Sequence, residues 1–219
     1  MKITCLSLLA LVSVLLTSLT APNVNKEIPS VKIGTQVWSS KNLDVTHFRN
    51  GDPIFEANTF EKWEQANIEG RPAWCYYEND PKNGELYGKL YNYWAVSDKR
   101  GLAPEGWHIP TDAEWTQLAE FLGSPVNAGA GLKSSKGWSA NPGTNKTGFN
   151  ALPGGYRTHE GPRYYGGPFF HKGKAGYWWS STRYLVDNSF CRILSVKNQE
   201  LAKDHFVQMS GLSVRLIKD

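Results

Sequence analysis

GWHIPTDAEWTQLAEFL, residues 106–122, decides the fold class, because it writes a loop, a helix start and a buried helical face in seventeen residues. Thr111 followed three residues later by Glu114 is a capping box: the hydroxyl accepts from one orphan helix N–H and the carboxylate reaches back to another. A helix is therefore predicted from near Asp112. Trp115, Leu118, Ala119 and Leu122 follow at i, i+3, i+4 and i+7, an apolar stripe for a core, and Gly123 with Pro125 supplies the stop.

Upstream, residues 31–33 and 36–38 flank Gly34-Thr35, the pattern of a two-residue hairpin. Asn58 with Glu61 repeats the capping-box pattern ahead of a short helix at 60–68, with Phe60, Trp63 and Asn67 on its inner face. Residues 86–96 carry apolar side chains at 86, 87, 90, 91, 93, 94 and 95, too crowded for a surface helix. They predict a first long core helix, with 111–122 the second, packed through Trp115, Leu118 and Leu122. Beyond Gly123 helical periodicity fades and short apolar runs alternate with turns. Strands are expected at 155–157, 176–181, 190–196, 205–209 and 213–217, the last alternating Val214 and Leu216 against Ser213, Arg215 and Ile217. The expected class is α+β: two core helices, a small mixed or antiparallel sheet and long Gly-rich loops.

Residues 1–21 read as an export signal, with Lys2 before a mostly apolar run and small, polar residues at 17–21. An uncleaved anchor is the lesser alternative, since the run is short for a bilayer span. After cleavage no transmembrane segment is expected, and the protein belongs in the periplasm, at the cell surface or outside the cell. Residues 22–30 form a short linker and 31–219 one domain, a length sufficient for a substantial core. The net charge of +4 contains no run of five like charges, so nothing asks for nucleic acid. With 9 Trp, 10 Tyr, 9 Phe and 21 Gly, the chain reads as large rings packed beneath tight loops. Cys75 and Cys191 are the cysteines left after signal removal. An oxidising compartment favours their pairing, but the bond needs Cα atoms within about 7 Å, and two buried free thiols are the equal alternative.

The opening phrase has company: IGTQVWSSKNLDV (33–45), YGKLYNYWAV (87–96), GFNALPGGYR (148–157), GYWWSST (176–182) and GLSVRLIKD (211–219). Together they resemble the Fibrobacter succinogenes major paralogous domain family, from about Val31 to the end. The resemblance implies a bacterial protein of C-type-lectin-like fold, related to the domain of formylglycine-generating enzymes, whose LPTEAEW phrase is similar to residues 109–115. It implies no particular chemistry.

Chemistry is thinly written. The five histidines offer no zinc spacing, and His108 reads as hydrogen-bonded packing. Glu78, Asn79 and Asp80 could offer oxygens to calcium, yet Pro81 and Gly84 make a turn the more economical reading. The calcium-binding triplets of sugar-binding lectins do not occur. The reactive cysteine pair that formylglycine-generating enzymes need has no counterpart, and no Ser, His and Asp arrangement stands out. No catalytic residue, metal or cofactor is therefore expected. What remains is residues 158–192, where aromatic, Arg, Asp and Asn residues crowd between glycines. Tyr164, Tyr165, Phe169 and Phe170 are the candidate ring contacts, and Arg183, Tyr184, Asp187, Asn188 and Arg192 the candidate polar and flanking contacts. Trp178 and Trp179 are assigned to the core. Packing of a long loop accounts for the same rings equally well; the lectin-like resemblance, which puts the ligand face in the C-terminal half, favours binding. The expectation is an exported, non-catalytic recognition module for a glycan or a surface protein. The alternatives are an enzyme on a formylglycine-generating-type scaffold and a structural component of a surface assembly.

Overall fold

The computed structural model describes residues 27–159 and 167–219; the expected export signal lies outside them. The predicted hairpin forms: β1 (Ser30–Ile33) and β2 (Gln36–Ser39) pair antiparallel with Ile33 opposite Gln36, leaving Gly34-Thr35 as the turn. There follow β3 (Phe55–Glu56), α1 (Phe60–Ile68), β4 (Ala73–Cys75), a 3-10 turn at Tyr77–Asn79, α2 (Pro81–Tyr87), β5 (Leu90–Tyr91) and α3 (Tyr93–Val96). After β6 (Trp107–His108) come α4 (Asp112–Phe121) and α5 (Pro125–Leu132). The remainder is β7 (Tyr156–Arg157), β8 (Phe169–Phe170), β9 (Ala175–Arg183), β10 (Asn188–Ser195), β11 (Ala202–Val207) and β12 (Ile217–Lys218). The fold is mixed α+β, with the described strands in four small sheets: β1-β2-β12-β6, β11-β10-β9, β3-β4-β5 and the ribbon β7-β8. No helix among the described residues is long and apolar enough to cross a membrane.

The capping box is realised in full. Thr111 Oγ1 accepts from the Glu114 amide at 3.2 Å, and Glu114 Oε2 accepts from the Thr111 amide at 2.8 Å. Trp115, Leu118 and Ala119 are buried, with Leu122 partly buried beside them. Their partners differ from the expectation: this face packs with Trp38, Phe149, Ala128 and Leu132, not against 86–96. Residues 86–96 are not one helix. Gly88 stands at φ 71°, which ends α2, and Asn92 then starts α3 by accepting from the Ala95 amide at 3.1 Å. The crowded apolar run is divided among a helix end, a strand and a single helical turn, each burying a different side. α1 occupies its predicted span, but Thr59, not Asn58, caps it. α5 was not expected: Pro125 at its first turn starts a helix where Gly and Pro had suggested loops.

Residues 211–217 are buried without interruption, so the predicted alternation at 213–217 is absent. The reason is that this segment has neighbours on all sides. Leu212 exchanges backbone hydrogen bonds with Tyr91 (2.9 and 3.1 Å), the Trp179 amide donates to Ser213 O, the Leu43 amide to Val214 O and the Ser39 amide to Leu216 O. The C-terminal segment thus joins the early, middle and late parts of the domain.

Irregular segments leave carbonyls without backbone donors, and buried cations supply them. Arg215 donates to Asn42 Oδ1, Ser39 O, Phe149 O and Asn150 O at 2.7–3.1 Å. Lys133 Nζ donates to Asn141 O, Ser195 O and Asn198 O at 2.6–3.1 Å over the Trp138 ring. Arg157 donates to Ala57 O, Thr59 O and Gly167 O and lies between the Trp63 and Phe169 rings. Lys89 pairs with Asp44 against Trp74 and Tyr76. Burial lowers the pKa of Lys133, Arg157 and Arg215, the last to about 9, so Arg215 is still charged at neutral pH.

His108 joins the capping box to the C-terminal strand. Its Nε2 lies 2.8 Å from Glu114 Oε1 and its Nδ1 2.7 Å from Asp219 Oδ1. Burial lowers its pKa, but Asp219 and Glu114 outweigh that and leave it above the ordinary 6.5. For a base whose folded pKa is raised, the contribution to stability is complete below the unfolded value and is lost as pH climbs through the folded one. Melting temperature is therefore expected to fall between pH 6 and pH 8, and the decline to shrink in His108→Gln. An unchanged slope in that variant would remove His108 as its source.

Candidate functional site

The expected contact region, 158–192, does not form one surface. In the β7-β8 ribbon Tyr156 faces Phe170 and Arg157 faces Phe169, and the two-residue period of a strand sends the pairs to opposite sides. Arg157 and Phe169 point inward, with Phe169 also 5.1 Å from the Tyr77 ring. Tyr156 is half-buried and Phe170 is exposed. Gly155 permits this approach: it stands at φ 69°, and a Cβ there would meet Phe170 O at 2.3 Å.

The outward pair extends into a ridge of rings. Tyr177 at the start of β9 lies 4.6 Å from Tyr156, and Phe206 of β11 lies 5.1 Å from Tyr156 and 5.4 Å from Tyr177. His171 stacks on Tyr177 at 19° between planes, with Nδ1 2.5 Å from the phenol oxygen. The turn that positions it is tight: His171 adopts φ 70°, and its carbonyl accepts from the Lys174 and Ala175 amides at 2.8 and 2.9 Å. Burial, then Lys174 and Lys197, lower the pKa of His171, so the imidazole is neutral at pH 7. Burial, with Tyr156, Cys191 and Asp204 adding to it, raises that of Tyr177, which keeps its proton. The ridge of Tyr156, Phe170, His171, Tyr177 and Phe206 is apolar in body and polar at its tips. Such a surface stacks on flat apolar faces while offering directional hydrogen bonds.

Among the other expected contacts, Tyr164 and Tyr165 lie outside the described residues. Arg183, Tyr184, Asp187 and Asn188 gather at the β9–β10 hairpin, where Tyr184 stacks on His205 at 4.3 Å and lies 4.9 Å from Phe190. Phe190 pairs with His205 while Ser189 pairs with Phe206, so this cluster occupies the opposite face of the β11-β10-β9 sheet from the ridge. Tyr184, Leu185 and Val186 are exposed at its tip. Arg192 is buried and turned inward, 2.7 Å from Asp112 Oδ1 and bonded to Thr116 Oγ1, where it holds the start of α4. It is no surface contact.

Cys75 and Cys191 are both free and buried, and they belong to different hydrophobic clusters. The candidate pairing is not made. Burial raises both thiols above their ordinary value, Cys191 most strongly. Trp178 and Trp179 lie in the core as expected. No group of three or more His, Cys, Asp or Glu that could hold a metal occurs among the described residues. A shallow concavity of about 640 Å³ lies elsewhere, between the β1–β2 turn and Gln117, Glu120 and Phe121 of α4, and contains none of the expected contacts.

Sequence reasoning reached Phe170 but missed Tyr156, His171, Tyr177 and Phe206. Phe206 did carry a signal, as a lone ring in the charged strand AKDHFV. Tyr177 is buried like the neighbouring Trp178 and Trp179, and it enters the ridge as the ring on which Tyr156, His171 and Phe206 pack.

A family model described as the Fibrobacter succinogenes major domain matches residues 31–218, and the chain belongs to that family. No curated protein and no solved structure matches it.

Proposed function

We propose that this family member is an exported, non-catalytic recognition module of C-type-lectin-like fold, formed by the single domain 31–219, and that it binds a glycan on the ridge of Tyr156, Phe170, His171, Tyr177 and Phe206. The relation to formylglycine-generating enzymes belongs to the same proposal. The observation that carries the binding is the ridge itself: five contiguous rings from four strands and a turn, with Phe170 and His171 exposed, Tyr156 and Phe206 half-buried and Tyr177 buried against them. Sugar rings present apolar C–H faces bordered by hydroxyls, which such a surface matches. Against enzymatic chemistry, both thiols are buried with raised pKa values, the opposite of what a reactive cysteine needs. A surface protein as ligand is favoured by a different observation, the exposed Tyr184, Leu185 and Val186 at the hairpin tip.

A glycan array with the purified protein tests the choice. Binding is expected without added calcium and is expected to weaken at least about tenfold when Phe170 and Tyr156 are replaced by alanine, given the share that buried rings contribute at interfaces. The variants' melting curves separate lost binding from lost fold. Glycan capture that survives both ring substitutions, or that the Leu185→Ser and Val186→Ser pair abolishes instead, would overturn the ridge as the site.

A further inference from the structure

We propose that the ligand of the ridge is an anionic carbohydrate, whose carboxylate or sulfate group lies against Lys174 and Lys197. This rests on the glycan reading above and adds the chemical class. The backbone brings the two lysines together at one end of the ridge. The His171 turn closes through the Lys174 amide at 2.8 Å, and the Val196 amide then donates to Lys174 O at 2.9 Å, which sets Lys197 beside it. Both lysines are exposed.

Neither lysine is neutralised by a carboxylate among the described residues, although the adjoining Lys172 is. Lys172 is paired with Glu78, Lys203 with Asp112 and Lys89 with Asp44, all with direct carboxylate contacts. No such pair involves Lys174 or Lys197 among the described residues. The charges acting on His171 are both cations, and their shared effect is to lower its pKa. Asp204 is the carboxylate nearer the other part of the ridge, acting on Tyr177. The ridge therefore has a cationic end and a weakly anionic end. A glycan with one acidic group gains a preferred direction on such a surface, with a sugar face on the rings and the acid toward His171.

Direct binding by the full chain at low ionic strength tests this, with three immobilised probes of similar length: oligogalacturonate, a sulfated galactan and neutral galactan. At least one of the two acidic probes is expected to bind about tenfold more tightly than the neutral one, the effect two exposed charge contacts supply together. Which of them does distinguishes carboxylate from sulfate. The double substitution Lys174→Gln with Lys197→Gln is expected to erase the preference while leaving neutral binding unchanged, and added salt to reduce it. Equal binding of all three probes, or a preference that survives the double substitution, would overturn the assignment while leaving a ridge that binds neutral sugar intact. Acidic binding that depends on the lysines but ignores Phe170→Ala and Tyr156→Ala would instead refute the ridge, and with it the placement of the sugar.

Discussion

Replacing Arg215 with methionine is expected to destabilise the domain by about 4 kcal/mol, because it strands the carbonyls of Ser39, Phe149 and Asn150 in a dry interior. Methionine removes the burden of a buried charge, since no carboxylate among the described residues pairs with Arg215, and that relief offsets part of the loss. The acceptors decide the sign: three are backbone carbonyls held by Arg215, and the fourth, Asn42 Oδ1, also accepts from Trp178 Nε1. Lysine would keep the charge but could not span a fan of four acceptors, so Arg215→Lys is expected to lose about 2 kcal/mol. Urea unfolding midpoints measure both. A methionine variant within about 1 kcal/mol of the parent would mean that the carbonyls find other donors.

Trp115→Ala is expected to have an effect of similar size, about 3–5 kcal/mol, through the cavity left in the second hydrophobic cluster. Trp115 is fully buried, 4.6 Å from the Trp38 ring and 6.0 Å from Phe149, so two large rings lose their common neighbour. Its indole N–H is buried with no hydrogen-bond partner among the described residues. Trp115→Phe is therefore expected to be much milder, since it removes an unsatisfied donor while keeping most of the ring. Equal losses in the two variants would show that the indole's extra volume, not ring packing in general, holds the cluster.

How far the sequence could be read follows from where its signals are local. The hairpin at Gly34-Thr35 and the box at Thr111 and Glu114 are decided by neighbours within a few residues, and both form as expected. Residues 86–96 fail because an apolar count reports burial without saying which element carries it; the left-handed Gly88 and the capping Asn92 were the marks of division. The 213–217 segment fails for a related reason. Alternation applies to a strand with one wet face, and this one is enclosed by Tyr91, Tyr177, Ser39 and Leu43. Arg215 and Arg192 look exposed by residue type, and only long-range partners show them to be internal. Within the aromatic stretch 158–192, the side each ring takes could not be read locally: Phe169 and Phe170 are adjacent in sequence, yet pairing with β7 turns one into the core and the other to the surface. Tyr156, Tyr177 and Phe206 come from three separate strands, so no local window could gather them.

Hydrogen–deuterium exchange of the protein with and without its best array glycan tests the central claim most directly. The account predicts slowed exchange across the turn at 171–175, the start of β9 and the β11 strand, with the hairpin tip at 184–187 unchanged. Protection confined to that tip, or to the concavity beside Phe121, would contradict it.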